Sequence, residues 1–202
     1  YVDRFRQRLM FPIFDIKDRV IAFGGRVLDD SLPKYMNSPE TPIYSKSRNI
    51  YALNFARKAK VSKLLMVEGY MDVIALHAAG FSNAIATLGT AITSEQARVL
   101  SRYTKRIIIS YDADEAGQKA AMRAVKMLSD VGLDVTILRV PGAKDPDEYI
   151  KKFGADSFRK VIESSCTGFE YKLDMTIRKY NVAMATDKIK ASQEMCEYIS
   201  EI

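Results

Sequence analysis

One short apolar run that ends in a carboxylate constrains the fold of this chain more than any other feature. The segment Lys63-Leu-Leu-Met-Val-Glu68 has four consecutive apolar positions before Glu68, and Gly69 and a helical pattern follow. Four apolar positions without alternation are typical of a strand buried on both faces, as in parallel sheets covered by helices. Glu68 is therefore predicted at the carboxyl end of a strand, facing the crevice in which open α/β sheets bind ligands.

The same pattern recurs forty residues later. Arg106-Ile-Ile-Ile-Ser-Tyr-Asp-Ala-Asp114 is a second apolar run, and it ends in Asp112 and Asp114. If the two strands are parallel neighbours, Glu68, Asp112 and Asp114 converge at one edge of the sheet. Three carboxylates in a small volume repel one another unless a cation lies between them, so the pattern predicts a Mg²⁺ or Mn²⁺ site.

From residue 63 to residue 140 the chain alternates four predicted strands with three helices. This order predicts right-handed crossovers and a mainly parallel four-stranded sheet flanked by helices. The segment 141–149 contains Asp145, Pro146, Asp147 and Glu148. Asp145 is a good helix N-cap, but Asp145 and Asp147 also follow a strand on the side of Glu68, so two interpretations stay open: helix start or completion of the cation site.

The regions on either side of this sheet have different patterns. Residues 1–60 predict a β-rich segment with a hairpin, in which Gly24-Gly25 interrupts the second strand, followed by a proline-rich loop over 33–42. Beyond residue 152 the pattern is helical over 157–164, 168–180 and 186–201, and we expect these helices to pack on each other as a small bundle. The sequence thus predicts three parts, residues 1–60, 61–150 and 151–202.

The net charge of +6 lies entirely in the first part. Residues 1–60 hold 12 Lys and Arg against 6 Asp and Glu, while the rest of the chain is balanced. A basic segment leading into an acidic crevice suits a polyanionic substrate, although a basic face exposed to solvent explains the charge equally well. The loop after the hairpin adds side chains able to contact phosphate or sugar: Lys34, Asn37 and Ser38.

Composition excludes several classes of protein. No apolar run approaches the ~18–20 residues of a membrane span, and no leader pattern is present, so we expect a cytoplasmic protein without a membrane partner. Cys166 and Cys196 match no zinc spacing and are expected as free thiols, and His77 has no partner that would make it a metal ligand. A chain that starts without Met and stops within a helical pattern is expected to be a fragment.

The combination of acidic motifs resembles a known domain. A strand ending in Glu-Gly-x-x-Asp, followed by Asp-x-Asp after the next long strand, is similar to the Toprim domain of topoisomerases, bacterial primases and some nucleases. Several sequence motifs restrict the choice among these families. Over about residues 4–149 the chain resembles the RNA polymerase domain of bacterial replicative primases. The motifs are Phe23-Gly-Gly-Arg-Val27, Pro33-Lys-Tyr-Met-Asn-Ser-Pro-Glu-Thr41, Glu68-Gly-Tyr-Met-Asp72, Tyr111-Asp-Ala-Asp-x-Ala-Gly117 and Lys144-Asp-Pro-Asp147.

The resemblance implies an activity and a set of site residues. It implies synthesis of RNA primers from nucleoside triphosphates on single-stranded DNA. The resemblance also implies that two or more Mg²⁺ or Mn²⁺ ions bind at the site and that this fragment binds no zinc. Glu68, Asp112 and Asp114 are then the principal catalytic and metal-binding carboxylates, supported by Asp72, Asp145 and Asp147. A basic ridge for template or nucleotide phosphates is expected from Arg26, Lys34 and Lys46, with Asn37 and Ser38 close by.

The same resemblance implies binding partners and leaves alternative functions open. The replicative helicase is expected to bind through a domain that this fragment lacks, at a replication fork in the bacterial cytoplasm. A Toprim nuclease or topoisomerase fragment would use the same acids to cleave nucleic acid, and a non-catalytic nucleic-acid-binding module would use them only as helix caps. The basic segments ahead of the sheet favour the polymerase, because cleavage requires no ridge for nucleotide phosphates.

Overall fold

Two sheets organise the computed structural model, which describes residues 3–59 and 62–201. The first sheet is antiparallel, with strand order β1-β2-β3 and a turn at Asp15–Asp18. Its strands are β1 (Arg8–Phe14), β2 (Val20–Val27) and β3 (Tyr35–Asn37), and a short helix, α1 (Leu53–Ala56), follows them. The predicted hairpin is confirmed, but β3 lies in the segment that the sequence predicted as an irregular loop.

The second sheet is built from alternating strands and helices. In chain order these are β4 (Leu64–Val67), α2 (Tyr70–Ala78), β5 (Ala84–Ala86), α3 (Ser94–Leu100), β6 (Arg106–Ile109), α4 (Glu115–Ser129) and β7 (Asp134–Ile137). The chain ends in α5 (Pro146–Phe153), α6 (Ala155–Glu163), β8 (Cys166–Thr167), α7 (Gly168–Lys179) and α8 (Ala185–Glu201).

The strand order in the second sheet is β5-β4-β6-β7-β8. The four strands from β4 to β7 pair in parallel, as predicted, and the two-residue strand β8 adds an antiparallel edge that the sequence did not reveal. Alternate residues of β4 face opposite layers: Leu64 and Met66 pack with α3 and α4, while Leu65 and Val67 pack with α2. Burial on both faces is the physical reason why these strands read as continuous apolar runs.

The helices beyond residue 151 do not pack only on one another. Phe158 of α6 is fully buried in the layer below β4 and β6, next to Phe81 and Tyr149. Tyr171 of α7 belongs to the opposite layer. The expectation of a separate bundle is therefore wrong for α6 and α7, which cover the two faces of the sheet, whereas α8 packs on α7. The predicted part boundary at residues 60 and 61 lies outside the described residues.

An aromatic cluster joins the first sheet to the second. The ring of Tyr70, at the start of α2, lies within 5.0–5.5 Å of the rings of Phe11, Tyr35 and Tyr51. Gly24 lies inside β2 rather than interrupting it, and a Cβ there would come within 3.2 Å of the Tyr70 ring. The glycine thus lets β2 approach α2, which places the first sheet over the carboxyl ends of β4 and β6.

Candidate metal and nucleotide site

A crevice of about 430 Å³ lies between the first sheet and the carboxyl ends of β4 and β6. Its acidic side is formed by the loops after β4, β6 and β7, and its basic side by β2 and the segment leading into β3. Eight of the residues predicted from the sequence line it: Glu68, Asp72, Asp112, Asp145, Asp147, Arg26, Lys34 and Asn37. The predicted crevice at the end of the sheet is therefore present, with acidic and basic groups on facing walls.

Glu68 and Asp112 are held together by the backbone. The N–H of Asp112 donates to Glu68 Oε1 at 3.0 Å, because β4 and β6 are neighbours and both residues follow the last paired positions. Gly117 in the first turn of α4 makes this approach possible. A Cβ at Gly117 would lie 2.3 Å from the backbone oxygen of Asp112 and 2.7 Å from Glu68 Oε1, closer than real Cβ atoms come.

Asp114 is placed differently from Glu68 and Asp112. Its Oδ1 accepts the N–H of Gly117 at 2.7 Å and so caps the amino terminus of α4. It is exposed and does not line the crevice, although its charge repels that of Glu68. Asp114 therefore has a capping role in this structure, and its predicted role in metal binding stays a prediction.

The three supporting aspartates each have a local hydrogen bond as well as a place in the crevice. Asp72 Oδ2 accepts the N–H of Gly69 at 3.2 Å. Asp145 Oδ1 accepts the N–H of Glu148 at 2.8 Å, so it is the N-cap of α5 as well as a residue of the crevice wall. Asp147 Oδ2 accepts Lys151 Nζ at 2.5 Å. The helix-start interpretation of Asp145 is thus confirmed, while its part in a cation site stays a prediction.

The electrostatics of the crevice disfavour ionised carboxylates. Burial, followed by the charge of Asp145, raises the pKa of Asp72 to about 6. Burial is also the main cause that raises the pKa of Glu68, where the N–H of Asp112 opposes it and the charges of Asp112 and Asp114 add to it. Burial likewise raises the pKa of Asp112, with Lys144 opposing and Asp145 reinforcing the shift. Carboxylates with raised pKa values in a crevice are typical of functional sites.

Lys144 is a residue of the crevice to which the sequence reasoning assigned no role. Its Nζ lies 3.6 Å from Asp112 Oδ2, and the charges of Asp112 and Asp145 raise its pKa. Lys144 is the first residue of the Lys-Asp-Pro-Asp motif, so the sequence did contain an indication of its role. Only the folded structure, however, shows that this loop lies against the loop after β6. Lys144 is exposed, so its ammonium is free to exchange Asp112 for another anion.

The donor set fits a hard divalent cation by its chemistry. All five acidic residues of the crevice offer oxygen, the ligand that Mg²⁺ prefers, and a bound cation would offset the repulsion of Asp72 by Asp145 and of Glu68 by Asp112. Within residues 3–59 and 62–201, no three acidic, imidazole or thiol side chains are gathered closely enough to hold one ion as they stand. Mg²⁺ usually keeps several waters and takes further ligands from substrate phosphates, so such an open arrangement suits it.

The basic side of the crevice contains buried polar atoms without partners. Six side-chain atoms of the described residues are buried and make no hydrogen bond, and three of them, Arg26 Nε, Asn37 Oδ1 and Tyr70 Oη, belong to residues that line the crevice. The Asn37 amide is fixed, since its Nδ2 donates to the carbonyl oxygen of Leu88 at 3.0 Å. The Arg26 guanidinium lies 5.6 Å from the centre of the Tyr35 ring. Unpaired buried polar groups are costly, and a ligand bound in the crevice would supply the missing partners.

Two predicted binding residues lie outside the crevice. The Ser38 hydroxyl accepts the N–H of Phe23 at 3.0 Å and is within 3.2 Å of its carbonyl oxygen, so Ser38 extends the pairing of β2 with β3. Lys46 is anchored by its backbone: its N–H donates to Glu40 and its carbonyl oxygen accepts from Gln96. Neither residue lines the crevice. Their predicted role in binding nucleotide or template stays a prediction.

Two family models match different parts of the chain. Residues 65–150 match the Toprim-like family model, and residues 1–57 match the model of the DNA primase catalytic core, N-terminal domain. The solved RNA polymerase domain of Mycobacterium tuberculosis primase DnaG is 30% identical, with a TM-score of 0.80 over 98% of this chain and 71% of that domain. The chain belongs to the bacterial DNA primase family.

Other primases agree with this assignment. The DNA primase of Clostridium acetobutylicum is 46% identical over 99% of this chain and 34% of its own length. A DnaG primase catalytic domain solved bound to single-stranded DNA is 38% identical, with a TM-score of 0.80 over 95% of this chain and 63% of that chain. The chain spans about a third of the length of the curated relatives it matches. Primases with a Toprim domain are metal-dependent, typically on Mg²⁺.

No helix in the described ranges has the length and apolar character needed to cross a membrane. Cys166 and Cys196 are free thiols, as the sequence predicted. His77 hydrogen-bonds through Nε2 to the carbonyl oxygen of Ala84 at 2.9 Å, which agrees with the structural role expected for it.

Proposed function

We propose that this chain is the catalytic part of a DNA primase, which joins ribonucleoside triphosphates into an RNA primer on a single-stranded DNA template during DNA replication. The observation that carries the proposal is the crevice, in which carboxylates with raised pKa values face a basic wall with unpaired polar atoms. A related catalytic domain has been solved bound to single-stranded DNA, which supports the template as the polyanionic ligand.

In this proposal the acidic wall binds divalent cations. Glu68 and Asp112 are the central ligands because the backbone holds them together, Asp114 serves as a ligand through the oxygen that does not cap α4, and Asp72, Asp145 and Asp147 surround them. Two or more Mg²⁺ ions bound there would offset the negative charge of the nucleotide phosphates and lower the pKa of the attacking hydroxyl. The carboxylates orient the ions, and the buried setting makes each charge interaction stronger than it would be in water.

The basic wall orients the nucleic acid and the nucleoside triphosphate. Lys34 is exposed at the crevice and suits a phosphate as a point charge, whereas Arg26 is half-buried and offers a planar guanidinium. Asn37 completes this wall with its fixed amide. We propose these three residues for nucleotide and template binding within the crevice, and Lys46 and Ser38, which lie outside it, for contacts with nucleic acid that extends beyond it.

The wider biological setting belongs to the same proposal. A primase acts in the bacterial cytoplasm at the replication fork, and we propose that its replicative helicase binds a region outside residues 1–202. The division into parts at residues 60/61 and 150/151 also stays a proposal. The contacts of α6 and α7 with the sheet indicate that the third part stabilises the second.

Replacement of Asp112 tests the proposal. In the full-length primase that contains this chain, Asp112→Asn should abolish Mg²⁺-dependent primer synthesis, because a neutral amide does not bind the ions as a carboxylate does. The melting temperature should stay equal or rise, since burial and Asp145 already disfavour the charge at this position. Asp130→Asn, at an exposed aspartate beyond α4, serves as the control and should leave synthesis unchanged. Unchanged synthesis by the Asp112 variant contradicts the assignment.

A further inference from the structure

A second groove lies outside the crevice, between α4 and α7, with a volume of about 1060 Å³. Its walls are strongly basic. Lys119 and Arg123 project from α4, Lys172, Arg178 and Lys179 project from α7, and Arg139 follows β7 between the two helices. Neither the catalytic proposal nor the sequence motifs use any of these six residues.

The cations of this groove outnumber the carboxylates that pair with them. Asp174 is shared by Arg139 and Arg178, and Glu194 is shared by Lys172 and Lys179. Glu115 pairs with Lys119. Arg123 has no ion-pair partner in the described parts of the chain, and its side chain is exposed. Three carboxylates therefore pair with five of the six cations, so the groove keeps a net positive charge.

The groove continues from the catalytic crevice. A small cavity of about 90 Å³ lies between them and shares residues with both: Asp112 and Lys144 also line the crevice, while Gln118 and Arg139 also line the groove. The Arg139 guanidinium is held 4.4 Å from the centre of the Tyr171 ring, which fixes a cation at the junction. A polyanion that leaves the crevice past Lys144 meets Arg139 next and then the walls of the groove.

We propose that the groove between α4 and α7 binds the sugar–phosphate backbone of the single-stranded template where it extends beyond the catalytic crevice. The inference rests on the proposed primase function and adds a second template-binding surface to it. Lys and Arg contacts to phosphate hold a strand without reading its sequence, as a template site requires. Met122 and Met175 line the same groove and offer apolar surface to sugars and bases.

Binding of oligonucleotides of two lengths tests the groove. The protein is the full-length primase that contains this chain, and the probes are fluorescent single strands of about 4 and about 16 nucleotides, the range of site sizes of single-strand-binding folds. The variant is Arg123→Glu with Arg178→Glu, one residue from each wall. The control is Arg98→Glu with Lys160→Glu, which makes the same change of net charge at exposed positions that do not line the groove.

The groove variant should bind the long strand about tenfold more weakly than the wild type, whereas its affinity for the short strand should match that of the control. Its salt slope for the long strand should fall by about 1.4, since each lost phosphate contact on a single strand removes about 0.7. Melting curves show whether the double variant folds. If the double variant does not fold, the single variant Arg123→Ser tests the groove instead, because this arginine forms no ion pair in the described ranges. Its salt slope for the long strand should then fall by about 0.7.

Two results overturn the proposal. Equal binding of the long strand by variant and control means that the groove does not bind the template. A groove that binds an acidic protein partner instead would give this same result. Equal weakening of both lengths means that the variant acts only through overall charge. These failures are distinguishable from failure of the proposed function, in which the wild-type protein binds neither length and Asp112→Asn leaves synthesis unchanged.

Discussion

Carboxylates in two regions of this molecule have opposite electrostatic settings. In the crevice between the first sheet and the carboxyl ends of β4 and β6, burial and neighbouring carboxylates raise the pKa values of Glu68, Asp72 and Asp112. Between α7 and α8, hydrogen bonds from Lys172 and Lys179 lower the pKa of Glu194 to about 2. The first group gathers anions with one exposed lysine nearby, whereas Glu194 receives two lysines and the hydroxyl of Tyr180.

The difference separates a binding site from a structural contact. A carboxylate with its own cations contributes to folding stability and needs nothing further. Carboxylates that repel one another lower the stability of the free protein, and a ligand that neutralises them recovers that free energy when it binds. Stability measurements with and without Mg²⁺ therefore distinguish the two regions, and three substitutions sharpen the comparison.

The largest change in stability is expected from Gly117→Ala. The added Cβ meets the backbone oxygen of Asp112, which cannot move aside as a flexible side chain does, so the free energy of unfolding should fall by at least ~2 kcal/mol. The stabilisation by Mg²⁺ should also disappear, because the approach of Glu68 to Asp112 is lost. Denaturant unfolding with and without Mg²⁺ measures both effects.

Gly69→Ala is the control for this substitution, since its Cβ would meet nothing nearer than Asp72 Oδ2 at 3.3 Å. It should cost less than ~1 kcal/mol. Equal stability of the Gly117 variant and the wild type would mean that the crevice loops do not have the spacing described here.

An intermediate effect of opposite sign is expected from Asp72→Asn. In the folded protein the pKa of about 6 lies above the ordinary value of 3.8, so the ionised carboxylate of Asp72 lowers the free energy of unfolding. This loss of stability is absent below pH ~4, grows as the pH rises and is complete above pH ~6. The variant should therefore be more stable than the wild type by about 1–2 kcal/mol at pH 7, a value reduced for partial solvent exposure, and equal to it at pH 4.

Unfolding by denaturant at the two pH values, without Mg²⁺, measures this gain. An asparagine retains the acceptor for the N–H of Gly69, so the turn is preserved. Asp130→Asn should show no gain at either pH. A loss of stability in the Asp72 variant at pH 7 would show that this carboxylate is not destabilising in the free protein.

The smallest effect is expected from Glu194→Gln. The folded pKa of about 2 lies below the ordinary value of 4.5, so the carboxylate stabilises the protein above pH ~4.5 and loses this contribution as the pH falls towards 2. The substitution should cost about 1 kcal/mol at pH 7, because both lysine contacts are partly screened by solvent, and nothing near pH 2. Mg²⁺ should not change the difference. Glu163→Gln, at an exposed glutamate, should cost nothing measurable at either pH.

The elements that place the acidic wall were predictable from local pattern. Continuous apolar runs identified β4 and β6, and because parallel strands end at one edge, the meeting of Glu68 with Asp112 followed without coordinates. Asp114 shows the limit of that reasoning. The residue follows the same strand, but its side chain turns back to cap α4, a choice between two good local interactions that spacing alone does not decide.

Features that depend on contacts between distant loops were not predictable. The strand β3 exists only because β2 pairs with it, and the two-residue β8 depends on β7 in the same way. The sequence gives no reason to separate Lys34 from Lys46 as candidate phosphate ligands, yet only Lys34 lines the crevice. The backbone of Lys46 is held elsewhere by hydrogen bonds to Glu40 and Gln96. The contact of Lys144 with Asp112 likewise joins two loops that the sheet brings together.

The most direct test of the central claim is the location of bound metal. Crystals of the protein soaked with Mn²⁺ and a ribonucleoside triphosphate would be measured for anomalous scattering. We predict peaks in the crevice within ligand distance of Glu68 and Asp112, with the triphosphate between them and the wall of Lys34 and Arg26. Mn²⁺ bound only elsewhere, at a concentration that supports primer synthesis, would contradict the proposed metal site.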